Sequence, residues 1–366
     1  MAPPDTTDYA RPFRDARWFD IVPRHVACPQ LERRCLLHAG PPLRGPAPAP
    51  MVNAAVQALL FDGLAADVGS ARALLAGGGV RLAPAQDHGV VTPLAQVVSA
   101  SMPLAAVRAG AWVRYAPLVE GPAPALRFGS AAPDTLARLR ALNAWAGATL
   151  GPRVRAAPLA IDALVRAATA AGDDCHARTT AANDALLAEL DGLDAPHAAE
   201  LRASPGFVLP ILMAAAAAAL RRHDSRIEAI GGNGVDFGVR HRGAAAWRQA
   251  PATTPRGPRL AGRDAVVGLG AIGDSAVLDF CGLGGQAFGA APLLAAEWAA
   301  VLPHDAIERR SRLIDPDTGL IDPARVAAGV VGPLINLAIL GAGGGDGLIG
   351  RGVYCPPPSL FEAIGP

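Results

Sequence analysis

Gly268-Leu-Gly-Ala-Ile-Gly-Asp-Ser-Ala-Val-Leu-Asp-Phe-Cys-Gly-Leu-Gly-Gly-Gln-Ala-Phe-Gly289 is dense in glycine and carries two acids, Asp274 and Asp279, with no base. Glycine costs chain entropy on folding, so it is used where backbone turns through positive φ or where another group approaches closely. Carboxylates placed among such turns orient a donor or hold a proton. The alternative is a tightly packed core loop.

The first six residues, Gly268 to Gly273, fit the pattern G-x-G-x-x-G, with Ala265-Val-Val267 as a strand before it. A dinucleotide fold then requires an unbroken helix, a second strand and an acid about twenty residues on. Here Gly282, Gly284 and Gly285 break the helix after two turns, and the next acid, Glu297, lies in an Ala/Leu/Trp run that reads as helix. An NAD(P)-dependent oxidoreductase therefore stands only as a second alternative.

The chain has 366 residues, 51% apolar and 18% charged, with a net charge of +1. That composition gives a globular protein of two or three domains. The lack of a basic run argues against nucleic acid or a membrane surface as partner. There is no lysine, so Schiff-base and Walker-type chemistry are excluded, and any anion falls to arginine, backbone N–H groups or helix N-termini. Five scattered cysteines and a start without a signal-type apolar region lead us to expect a reduced, cytoplasmic protein. No cysteine or histidine spacing suggests a metal site, and no cofactor is expected. The apolar runs 206–220 and 326–345 read as buried segments; the first is too short to span a bilayer, and the second carries glycines, Pro333 and Asn336.

Working outward, residues 1–30 mix proline, arginine and aromatics without period and read as an arm packed on another domain or subunit, or as a partly disordered tail. Val52, Val56, Leu59 and Leu60 form a helical stripe opened by proline, and Ser70 is placed to cap a second short helix ending at Gly77. Short strands are expected at 80–82 and 94–98, flanking the turn Gln86-Asp87-His88-Gly89, then at 102–107 and 112–119. An imidazole oriented by a carboxylate is the usual general-base arrangement, so Asp87 and His88 are catalytic candidates. Helices are expected from Leu136 to Trp145 and from Ile161 to Ala168. A third begins near Asp173 and Asp174, with His176, Thr179, Thr180 and Asn183 on one face. Such a buried polar patch lines a cleft or forms a satisfied core network. Either acid is placed to cap this helix, whose N-terminus favours an anion. Asn233-Gly234 marks a turn before a strand through Asp236 and Arg240. Asn233 at that tip either holds a substrate amide or simply tolerates φ > 0. The run around Asn336 reads as helix breaking into a glycine loop able to cradle an anion.

Read together, Ile272-Gly-Asp-Ser-Ala-Val-x-Asp-x-x-Gly-Leu-Gly-Gly285 resembles the glycine-rich block of a bacterial domain-of-unknown-function family, AllG/YlbE-like, which includes the G subunit of oxamate carbamoyltransferase. Five further blocks resemble it in the same order: Pro46 to Ala55, Pro84 to Pro93, Gly172 to Asn183, Ile230 to Arg240 and Gly332 to Gly350. Glu120-Gly-Pro with Arg127-Phe-Gly129, and the proline-bearing end from Cys355, also resemble it. The chain departs from the family at Thr179, usually Asn, at Leu278, usually a hydroxyl residue, and at Asp279, usually Glu. It also lacks an Asn near Phe207 and a His after Asn336.

The expected fold class is α+β: arm 1–30, N-terminal α/β domain 31–130, helical domain 131–225 and Gly-rich C-terminal α/β domain 226–366. The resemblance implies a carbamoyltransferase subunit acting on carbamoyl phosphate and oxamate, or oxalurate and phosphate, in allantoin catabolism. It implies FdrA-like and other companion subunits in a homo- or hetero-oligomer. A non-catalytic ligand-binding or scaffold subunit is the first alternative. His88 is the expected base with Asp87 orienting it, His176 and Asn233 are donors, and Asp274 positions the glycine loop. Arg178 or Arg240 meets a carboxylate or phosphate, and Asp173, Asn183, Gly273, Ser275, Gly284, Gly285 and Asn336 are expected on substrate.

Overall fold

The computed structural model describes residues 7–190, 192–329 and 331–362. The ends of the expected arm and C-terminal domain, 1–6 and 363–366, lie outside them. The fold is α+β. Its first sheet has the order β5-β4-β1-β6, with β1 (Arg17–Pro23) between β4 (Pro103–Ala109) and the short β6 (Leu159–Ala160), and β5 (Trp112–Pro117) at the edge. The second sheet, order β10-β7-β8-β9, is antiparallel: β7 (Ile227–Asn233), β8 (Asp236–His241), β9 (Arg248–Pro251) and β10 (Ile272–Gly273). Two smaller pairs complete it. β2 (Cys35–His38) lies parallel to β3 (Arg81–Pro84), and β11 (Ile335–Leu340) is antiparallel to β12 (Leu348–Tyr354). A parallel pair needs a crossover, supplied here by helices Ala49–Phe61 and Val68–Ala76.

Helix Val208–Arg222 joins the two sheets. It packs on β4 and β5 of the first, on β7 of the second, and on helix Ala276–Phe280. Its buried alanines, Ala214 to Ala219, let sheet backbone come close without voids. The stretch Pro205–Arg222 is long and apolar enough by composition to cross a membrane, and most of it is buried inside the protein. The largest core cluster runs from Ala10 to Phe361 and takes residues from both four-stranded sheets, β11, β12, helix Val208–Arg222 and the expected arm, while β2, β3 and the two helices between them pack in a second cluster. Trp18 of that arm is fully buried on β1, its indole N–H donating to Asp20 O at 3.0 Å.

The helices at 49–61, 133–145 and 161–170, and the strands β4, β5 and β8, follow the expected periodicities. Four local expectations are corrected. Asp67, not Ser70, caps helix Val68–Ala76; Ser70 is the third residue of a capping box and bonds back to Asp67 N. Residues 94–98 form no strand. The run at 335–340 is strand β11, not helix, because it pairs antiparallel with β12 from Ile335–Tyr354 to Leu340–Leu348. Residues 265–267 form no strand before the glycine fingerprint, and β10 spans two residues antiparallel to β7, so no nucleotide-binding βαβ unit forms there.

Asp274 fastens these parts together. Fully buried, it accepts hydrogen bonds from Gly40 N (2.8 Å), Gln86 Nε2 (2.7 Å), Thr92 N (2.8 Å) and Thr92 Oγ1 (3.2 Å). Gln86 also donates to Ile230 O at 2.9 Å, so β7 joins the same knot. Burial pushes the Asp274 carboxyl up to about 7, against backbone and side-chain donors that favour the anion. These bonds tie the glycine stretch to the loops at Gly40 and Thr92 and, through Gln86, to the second sheet. Asp274→Asn turns an N–H group toward donors and should cost about 2–4 kcal/mol. Urea unfolding with an unchanged m-value measures this; a loss below about 1 kcal/mol would refute the role.

Candidate functional site

The loop after helix Ile161–Ala170 departs from the expected helix. Gly172 (φ 91°) and Cys175 (φ 61°) take left-handed backbone, and helix begins only at Thr180. Asp174 replaces the first helical turn. Its carboxylate accepts from the N–H groups of His176 (3.3 Å), Ala177 (3.0 Å) and Arg178 (2.7 Å). Asp173 accepts from Ala182 N at 3.0 Å and so anchors the helix that follows. His176 therefore sits on a loop, off the helical face of Asn183, whose Nδ2 donates to Leu201 O at 3.0 Å.

The imidazole of His176 is held from the glycine-rich stretch. Its Nδ1 lies 2.9 Å from Asp279, a fully buried residue of helix Ala276–Phe280. Asp279 also accepts from Gly285 N (2.7 Å) and Asn336 N (3.1 Å). An acceptor at Nδ1 assigns the proton there and leaves Nε2 as the basic nitrogen. Burial disfavours the imidazolium, but the Asp279 charge and its hydrogen bond outweigh burial and hold the His176 pKa above the ordinary histidine value. Gly284 (φ 53°) makes room for this contact: a Cβ there would collide with Asp279 and lie 3.0 Å from His176 Nδ1.

His176 lines a cavity of about 310 Å³ together with Arg178, Ser275 and Asn336. Asn336 donates Nδ2 to Asp174 at 2.8 Å, while its buried Oδ1 has no protein partner. Two arginines that sequence reasoning did not select, Arg127 and Arg351, complete the wall. Arg127 is nearly buried, donates to Gly121 O at 2.8 Å and lies over the Phe128 ring. Burial pulls its pKa down to about 10. Arg351 donates to Ala177 O at 3.0 Å, and Arg178 pairs with Glu297 at 2.9 Å. Arg127 was legible as part of the Arg-Phe-Gly block, and Asp279 as the acid standing for Glu; nothing local marked Arg351.

The other expected site residues lie elsewhere. Asp87 accepts from Arg240 Nη1 (2.7 Å) and Trp247 Nε1 (2.8 Å) and makes no hydrogen bond to the His88 ring. Neither Asp87, His88 nor Arg240 borders the cavity. A one-turn helix at 85–88 splays the two side chains, so the expected orienting pair does not form. Asn233 is engaged by its own turn and by a distant loop: Oδ1 accepts from Val235 N and Asp236 N, and Nδ2 donates to Pro41 O. Gly273 (φ 120°) packs against Leu94 backbone beside Ser275. Among the described residues no cluster of three or more His, Cys, Asp or Glu is placed to hold a metal ion.

Fold and cavity together define an α+β chain with a His–Asp pair facing an arginine-walled cleft. Residues 80–275 match the family model described as oxamate carbamoyltransferase subunit AllG. The chain is 32% identical to the Escherichia coli K12 oxamate carbamoyltransferase subunit AllG, covering 94% of this chain and 92% of that one. It is 30% identical to the uncharacterized protein YahG of the same organism, over 91% of this chain and 78% of that one. A crystal structure of a conserved protein of unknown function from Enterococcus faecalis V583 matches with a TM-score of 0.82 and 26% identity, over 97% of this chain and 95% of that one. The chain belongs to the oxamate carbamoyltransferase subunit AllG family.

Gly284→Ala should break the His176–Asp279 contact while the remaining core stays folded. We expect native-like circular dichroism and a melting temperature lowered by a few degrees, on the order of 1–3 kcal/mol. The His176 ring resonance should titrate nearer the ordinary value; an unmoved titration would show that Gly284 does not guard the pair.

Proposed function

We propose that the chain contributes the carbamoyl-transfer site of its complex, with His176 as general base, Asp279 orienting it, and Arg127, Arg178 and Arg351 receiving anionic groups. The observation that carries this reading is the His176–Asp279 contact at 2.9 Å on the wall of a cavity bordered by three arginines. A volume of about 310 Å³ is at the small end for a ligand pocket and suits two small substrates side by side.

In the transfer, the amide nitrogen of the acceptor attacks the carbamoyl carbon of carbamoyl phosphate. A new N–C bond forms, the C–O bond to phosphate breaks, and phosphate leaves with the electron pair. The amide proton passes to His176 Nε2, and Asp279 stabilises the imidazolium. Asn336 Oδ1, buried and unpaired, accepts from the acceptor's remaining N–H and directs its lone pair at the carbamoyl carbon. In a chain without lysine, the guanidinium forks bind the acceptor carboxylate and the leaving phosphate. Companion subunits, including one of FdrA-like type, complete the assembly; the carbamoyltransferase subunit named among the relatives supports a multi-subunit enzyme.

Two variants in the assembled complex separate this reading from its rivals. His176→Gln should lower turnover at least about a hundredfold, whereas His88→Gln should leave it within about threefold. Normal turnover of His176→Gln would move the chemistry to a companion subunit and leave this chain a scaffold.

The pH profile is a further check. A base must be neutral, and His176 is held above about 6.5, so kcat/KM should fall as pH drops through that raised value. Asp279→Asn removes the charge that raises it, and the acid limb should shift to lower pH. A limb that stays in place would exclude His176 as the titrating base.

A further inference from the structure

The loop from Glu120 to Pro124 separates the main cavity from a second one of about 80 Å³, and Ser204 stands on the wall of both. Four residues lining this smaller space carry buried polar atoms without a protein partner: Glu120 Oε2, Trp145 Nε1, Arg138 Nε and Ser204 Oγ. Their other contacts hold them in place. Glu120 Oε1 accepts from Leu126 N, and Arg138 donates its terminal nitrogens to Pro122 O and Pro124 O. Trp145 stacks on His197 with ring centroids 4.7 Å apart. Buried polar groups are nearly always paired, so four orphans around one small space mark a place that is occupied when the protein works.

The chemistry of the orphans selects the occupant. Two N–H groups seek an acceptor oxygen, a carboxyl oxygen faces the same space, and a hydroxyl serves either role. An anion would meet Glu120 and Glu200, and a cation would meet Arg138. The volume equals that of two or three waters, at roughly 30 Å³ each, which is the size of a planar group of about four heavy atoms.

We propose that this second cavity binds a small uncharged amide of the carboxamide or urea class, its carbonyl accepting from Trp145 Nε1 and its NH₂ group donating to Glu120. The proposal rests on the cavity's own donors and acceptors and is independent of the transfer reaction above. Ser204 places such a ligand directly beside the main cavity.

Acetamide is the probe. Crystals of the full chain soaked in acetamide should show it within hydrogen-bond distance of Trp145 Nε1 and Glu120. In solution, saturation transfer to its methyl group should titrate, and Trp145→Phe should weaken binding roughly three- to tenfold, the effect of one lost hydrogen bond. Glu120→Gln, which keeps the shape but presents a donor, should weaken it likewise and decides the matter if Trp145→Phe does not fold. Arg178→Ala in the main cavity should leave the titration unchanged. Waters alone in the second cavity of soaked crystals, acetamide seated only in the main cavity, or titrations unaltered by both Trp145→Phe and Glu120→Gln would each overturn the proposal.

Discussion

Asp174 and Asp279 share one residue, Asn336: the first accepts its side-chain amide and the second its backbone N–H. Both carboxylates are fully buried, where an ionised group costs several kcal/mol unless donors surround it. Here the donors come from the 174–178 loop, the glycine stretch and β11, segments that meet only in the folded chain. His176 is a donor of the set that also lines the cavity, as Arg178 and Asn336 do. Its position is thus a by-product of satisfying two buried charges, and the wall cannot move without unpairing them.

This constraint explains the glycines around it. Gly285 supplies a backbone N–H to Asp279, and Gly284 leaves the space in which the imidazole meets the same carboxylate. A Cβ at Gly284 would collide with Asp279 beside His176, and one at Gly285 would collide with the Leu334 backbone. The same logic recurs around Asp274, where buried acid and loop N–H groups fasten the β2–β3 region to the second sheet. Asp274 and Asp279 are the only charged residues of Gly268–Gly289, and Ser275, next to the first, lines the cavity with His176, the partner of the second.

The arginines follow from a chain without lysine. Arg127, Arg178 and Arg351 arrive from a one-turn helix, a loop and a hairpin strand, and each has part of its guanidinium anchored by a carbonyl or carboxylate. Anchoring of this kind limits the entropy lost when the remaining N–H groups meet an anion.

The α+β class, most helices and three of the strands could be read from the sequence, because period and capping act over a few neighbouring residues. So could the family, since its blocks keep their order. Asp87-His88 shows the limit of such reading. The dipeptide carries the right groups, but a one-turn helix splays them and Arg240 and Trp247 claim the carboxylate. His176 was selected for a helix that begins only at Thr180, because Asp174 satisfies the loop N–H groups before it. Its partner lies 103 residues away, and the cavity it borders draws on residues from Pro93 to Arg351. Sequence alone determined which chemical groups were present and which short elements they sit on. Which of them share one desolvated space was decided by the tertiary fold, because buried charges pair with whatever donors the packing of distant segments brings within reach.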